Sequence, residues 1–289
     1  MKKNLLLMPI MMAAIIVMSQ CFNKTKAPIQ KASASAGLIT HKEAVDSLLA
    51  DSTAPLKPLI FKLLDNNAKQ AVLRNIPLDS LFINDYPDNG FYGADRYRIE
   101  FVFTEAKRDE QDPSVYHIKG KNRHKKVITN FEGTIRITEL KSFVDPNLDS
   151  TYWAESQVKN LYAAKGLFEF KEDTSLATSG LFKGTIQTEF ADYKEDKPQL
   201  WFYSAGMYGT DGRGTAGYRL DGTWTSFKKA DMIKPVIWAR DLFSFSNDIL
   251  KDFAMGERDV EINEKYRDLG WADFWENDEW WHASPKELK

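Results

Sequence analysis

Four tryptophans and four carboxylates crowd the last part of the chain. Trp271, Trp275, Trp280 and Trp281 are interleaved with Asp273, Glu276, Asp278 and Glu279. Tryptophan faces stack on the C–H faces of sugars, and carboxylates accept sugar hydroxyl protons, so this mixture suits a glycan. Trp271, Trp275, Trp280, Trp281, Asp273 and Glu276 are therefore the candidate ligand-binding residues. Trp271, Phe274 and Trp275 share a helical face at i, i+3 and i+4. The competing reading is structural: large aromatic rings bury extensive area and would staple the C-terminal segment to a core. Gly256–Lys289 carries ten acidic residues against five basic ones, so the segment is acidic as well as aromatic.

Glycosidase chemistry requires two carboxylates at about 5–5.5 Å for retention or 6.5–9.5 Å for inversion. Acids are plentiful, but spacing along the chain does not pair them. Glu132, Glu189 and Asp221 fall on polar faces of strand candidates, and Glu132 and Asp221 line a lumen only if that face turns inward. Gly209–Gly217 superficially resembles a phosphate loop. A strand-like segment follows it rather than the helix N-terminus that would hold an anion. The basic stretch from His117 to Lys126 reads as a hairpin tip, or as a contact for phosphate or acidic polysaccharide. The four histidines, His41, His117, His124 and His282, form no metal-binding spacing. No nucleophile–base constellation is visible, and no catalytic residue, metal site or cofactor is expected.

The elements that would position these residues are mostly strands. From Arg96 the sequence alternates, with Tyr97, Ile99, Phe101 and Phe103 on one face. Strand candidates follow near 114–119, 127–140, 164–171, 180–192, 199–205 and 215–227. A short pattern of apolar, charged, Gly, Thr, apolar recurs at Phe131–Ile135, Phe182–Ile186 and Leu220–Trp224. Alternation puts each glycine on the face of its apolar neighbours, where close approach bends a sheet. The expected fold is mainly β, an antiparallel meander closed as a barrel or folded as a sandwich. It carries short N-terminal helices and a helical, Trp-rich C-terminal extension. In strand count alone it resembles calycin-type architecture. The expected helices are a capped one from Thr40 and a second over Leu59–Arg74, then one near Ser246–Leu250 and one over Asn263–Leu269.

The N-terminus holds the most specific motif. Lys2 and Lys3 precede 14 largely apolar residues, Leu5 to Met18, and then Ser19, Gln20 and Cys21. That run is shorter than the roughly 20 residues of a spanning helix, and its layout is that of a signal peptide. Met18-Ser19-Gln20-Cys21 resembles the lipobox of bacterial lipoproteins. The resemblance covers the first 21 residues and implies cleavage before Cys21 and lipidation of its thiol. It implies membrane attachment through that anchor, in the cell envelope, on the outer membrane facing the periplasm. Cys21 is the only cysteine, so lipidation would leave no free thiol.

The expected organisation is a signal peptide over 1–20, a flexible tether over 21–38, and a helical segment over 39–89. A β domain over 90–228 and the extension over 229–289 follow. The formal charge of −2 becomes −4 without Lys2 and Lys3 (37 basic, 41 acidic), which gives no electrostatic footprint for nucleic acid. Three functional expectations follow: a non-catalytic ligand- or partner-binding lipoprotein, a glycan-active hydrolase, or an envelope scaffold. The corresponding partners are a membrane, and a glycan or an envelope protein.

Overall fold

A computed structural model describes residues 57, 59–146, 158–193, 199–203, 217–240, 242, 254–255, 260–274, 276 and 278–282. The signal motif, Cys21, the tether and the helix from Thr40 lie outside them, as do most of the glycine-rich loop, Ser246–Leu250 and Trp275.

The described chain is mainly antiparallel β, in one large sheet of ten strands and a separate two-stranded hairpin. The strands are β1 (Ile60–Leu63), β2 (Asp88–Tyr92), β3 (Tyr97–Arg108), β4 (Val115–His124), β5 (Val127–Val144) and β6 (Val158–Glu172). They continue with β7 (Gly180–Tyr193), β8 (Gln199–Phe202), β9 (Tyr218–Ser226) and β10 (Ile233–Ala239). β11 (Ala254–Met255) and β12 (Val260–Glu261) make the hairpin. Eight strands pair along the path β5–β4–β3–β2–β10–β9–β7–β6, and β6 pairs again with β5, so the path returns to its start. β1 adds to the free edge of β5, and β8 to that of β7.

The inner faces are filled by alternate residues, as period-two strands require. Phe101 and Phe103 of β3, Phe131 of β5, Phe168 and Phe170 of β6, Phe182 of β7 and Trp238 of β10 share one cluster. Trp238 stacks on Phe101 with ring centres 4.0 Å apart. The three recurrent glycines lie where expected, on the inward side. Gly184 and Gly222 are direct cross-strand partners. A methyl group on Gly184 would lie 2.0 Å from the Asp221 carbonyl oxygen, so only hydrogen fits between these backbones.

One end of the strand ring is closed by α1 (Asn66–Asn75) and a 3-10 turn (Leu78–Leu81). Asp65 caps α1 by accepting from the Ala68 N–H at 2.9 Å. Arg108 Nη1 donates to the Leu73 and Ile76 carbonyls at 2.7 and 3.0 Å, satisfying acceptors at the helix C-terminus. Leu73, Ile76, Leu78, Leu81 and Phe82 then pack into the core, with Phe82 edge-on to Tyr116.

Three expectations are corrected. The helix expected over Leu59–Arg74 starts only after Asp65, because Ile60–Leu63 pairs with Val144–Lys141 of β5. The segment 39–89 therefore holds β1 and the start of β2 as well as helix. The sheet also extends past 228: β10 lies inside the presumed helical extension and pairs with both β9 and β2. Pro235 lies within β10, and β2 pairing begins only at Val236, so its missing N–H costs no bond on that side. Beyond β10, the described helical structure is α2 (Glu264–Tyr266), capped by Asn263, and a wide turn (Arg267–Trp271) with Gly270 at φ +85°.

Candidate functional site

The aromatic C-terminal segment lies against the outer faces of β3 and β4. Trp271 is fully buried, packs on Phe91, and donates its indole N–H to the Arg96 carbonyl at 3.1 Å. Trp280 and Trp281 are also buried and pack with Val102 and Ile128. A charged strip on the strands holds them. Arg123 makes two bonds to Glu100, at 2.6 and 3.0 Å, and pairs with Asp278; its guanidinium lies 5.1 Å from the Trp280 ring centre. Arg98 bonds Glu100 at 2.9 Å and faces the Phe274 ring at 5.2 Å. Lys121 Nζ donates to the Trp281 carbonyl at 2.6 Å.

Trp271, Trp280 and Trp281 thus spend their faces on the protein, and none of the three is open for a sugar to stack on. Asp273 and Glu276 are exposed. They border a cleft of about 530 Å³ with Arg98, Arg123, Asp278 and Trp280. The strand acids do not turn inward. Glu132 is exposed, and Asp221 is bound to Arg219 at 2.5 and 3.0 Å on the side opposite Leu220. Glu189 is buried, on the face opposite Thr188 and Phe190. Among the described residues, no three His, Cys, Asp or Glu side chains are placed to hold a metal ion.

A second site stands at the end of the ring away from α1. There the β2–β3, β4–β5, β6–β7 and β9–β10 turns come together around a cleft of about 420 Å³. Tyr92, Ile99, Phe182 and Trp224 supply apolar walls, and Asn122, His124, Thr129 and Glu172 supply polar groups. Glu172 is the last residue of β6 and is 5% exposed. Its Oε1 accepts from Asn122 Nδ2 at 2.7 Å, and its Oε2 accepts from the Gly180 N–H at 2.7 Å and Trp224 Nε1 at 2.8 Å. One carboxyl therefore ties β4, β7 and β9 to β6, and burial pushes its pKa up. His124 lies between Tyr92, at 4.4 Å, and Tyr97, at 5.1 Å. Burial lowers its pKa to about 4, so the imidazole is neutral at pH 7, and its buried Nε2 has no partner among the described residues.

The β4–β5 turn at this rim is strained. Lys125 and Lys126 have φ of 50° and 66°, a left-handed pair that a two-residue hairpin turn requires and that Asn-Gly fits best. Replacing them together by Asn and Gly is expected to stabilise the fold by about 1–2 kcal/mol, read from chemical denaturation. Unchanged stability would show that the turn carries no strain.

At the closed end, Asp88 is buried and accepts from the Tyr218 hydroxyl and from Asn84 Nδ2, the latter at 3.1 Å. Burial raises its pKa from 3.8 to about 6, with nearby Arg240 opposing the shift. The folded chain holds this proton at pH values where the unfolded chain has lost it. Stability from Asp88 is therefore full below pH 3.8 and is lost as pH rises through about 6. His124 acts oppositely: its folded pKa lies below the ordinary 6.5, so its contribution is lost as pH falls toward 4. An Asp88→Asn variant isolates the first effect. Its stability relative to wild type should grow by about 2–3 kcal/mol between pH 4 and 6 and then level off. A difference that is flat with pH would contradict a buried, titrating Asp88.

Sequence reasoning placed the site at the C-terminal tryptophans and missed the cleft between the turns. Comparison with protein-family models, curated proteins and solved structures finds no match to this chain.

Proposed function

We propose that this chain is a lipid-anchored envelope protein, held to the outer membrane on its periplasmic side, whose strand ring acts as a ligand-binding barrel. The bound molecule is small and enters at the turn-lined end. The observation that carries this reading is the contrast between the two ends. One is plugged by Leu78, Leu81 and Phe82, and the interior behind it is packed with aromatic rings. The other opens on a 420 Å³ cleft with apolar walls and a few fixed polar groups, within the usual range of about 300–1,000 Å³ for small-molecule sites. The lipid anchor rests on the N-terminal motif and Cys21.

Ala177 is exposed on the β6–β7 turn and borders the cleft, so Ala177→Trp caps it without disturbing the core. Wild-type protein should bind the uncharged fluorophore N-phenyl-1-naphthylamine saturably. The capped variant, with unchanged circular dichroism and Tm, should bind at least tenfold more weakly. No saturable binding by wild type of this fluorophore or of its anionic analogue 8-anilinonaphthalene-1-sulfonate, or equal binding by both proteins, overturns the ligand-binding reading. Fatty-acid labelling in a bacterial host tests the anchor: label on wild type and none on Cys21→Ser is expected, and unlabelled wild type overturns it.

A further inference from the structure

The geometry points to an amphipathic organic anion as the class of molecule this cleft takes, with an apolar or aromatic body against Tyr92 and Trp224 and an acidic head at the rim. This deepens the ligand-binding reading above and rests on it.

The body is argued from the walls. Tyr92 and Trp224 meet edge to face with ring centres 5.7 Å apart, and Tyr92 lies 4.4 Å from the His124 ring. These rings, with Ile99 and Phe182 below and Val127 and Met232 at the opening, form a largely apolar wall. A flat or branched apolar group entering it exchanges water contact for aromatic contact.

The head is argued from charge and its placement by depth. Among the residues lining the cleft, the cations are Lys125, Lys228 and Lys229, all exposed at the rim, and the one carboxylate is Glu172 on the floor. Glu172 already accepts three hydrogen bonds from the protein. The three lysines have no carboxylate partner among the described residues. They are also held in place by the backbone. Lys125 occupies the strained left-handed turn, with its ammonium 4.7 Å from the Tyr97 ring centre. Lys228 and Lys229 donate their backbone N–H groups to Ser226 Oγ at 3.2 and 3.3 Å, which folds the β9–β10 turn toward the opening. Strain retained at Lys125, where Asn would relieve it, points to a use for its side chain. A cationic ligand would meet three like charges on entry. A neutral one would leave the rim unused.

The test compares two probes with the same apolar body: 8-anilinonaphthalene-1-sulfonate, which is anionic, and N-phenyl-1-naphthylamine, which is not. Wild type should bind the sulfonate at least tenfold more tightly, and that preference should shrink as salt is raised. Changing Lys125, Lys228 and Lys229 together to Gln should weaken the sulfonate at least tenfold and change the uncharged probe less than twofold. A second variant, Lys228→Glu with Lys229→Glu, should weaken the sulfonate further. Equal affinity of wild type for both probes, or lysine variants that leave the sulfonate unchanged, overturns the anion assignment while the ligand-binding reading stands. If neither probe binds, or both bind the Ala177→Trp variant as well as wild type, the ligand-binding reading itself falls.

Discussion

Trp238→Ala is expected to destabilise the protein by about 3–5 kcal/mol, the range for emptying a fully buried large aromatic site. Trp238 has no exposed surface. It stacks on Phe101 at 4.0 Å and meets Phe168 and Phe182 at 5.1 and 6.1 Å. The rings around it come from β3, β6 and β7, none of which pairs with β10. Two controls sharpen the expectation. Trp238→Phe keeps most of the contact and removes an indole N–H that has no partner among the described residues, so it should cost less than about 1.5 kcal/mol. Trp201→Ala, at a residue 55% exposed on β8, should stay within about 0.5 kcal/mol. Guanidinium denaturation measures all three. Equal losses for Trp238→Ala and Trp201→Ala would contradict the filled interior.

The second large effect concerns Glu172. Glu172→Leu removes the acceptor for Asn122, the Gly180 N–H and the Trp224 indole together. Each buried donor left without a partner costs about 1–3 kcal/mol, so a loss of at least 3 kcal/mol is expected. Glu172→Gln behaves differently. Its carbonyl replaces the oxygen that accepts from Gly180 and Trp224, and its amide meets Asn122, whose own amide can turn to accept. The variant also removes a buried ionisable group whose pKa burial has raised. It should lie within about 1 kcal/mol of wild type. If Leu and Gln are equally tolerated, the carboxyl does not organise the rim.

Much of the β architecture is legible in the sequence because strand alternation is a local signal. The Tyr97–Phe103 alternation becomes β3, and the three glycines fall on the inward side, with Gly184 opposite Gly222. Elements defined by their partners are not legible. Ile60–Leu63 is a strand because β5 offers a free edge, and Ile233–Ala239 is one because β9 and β2 flank it. The C-terminal rings read as a dense aromatic and acidic cluster. Their burial depends on Arg98, Arg123 and Lys121, which stand more than 140 positions away. Glu172 sits in the charged run Lys171-Glu172-Asp173, which reads as a solvated turn. Only the meeting of β4, β7 and β9 around it makes it a buried anchor.

The measurement that tests the cleft most directly is the indole region of a ¹H–¹⁵N spectrum, with Trp224 assigned from a Trp224→Phe variant. Adding N-phenyl-1-naphthylamine should move the Trp224 indole resonance, whose N–H lies in the cleft on Glu172, and leave those of Trp271 and Trp280 in place. Movement of the Trp271 or Trp280 resonance with Trp224 unmoved would contradict the account and return the site to the C-terminal segment.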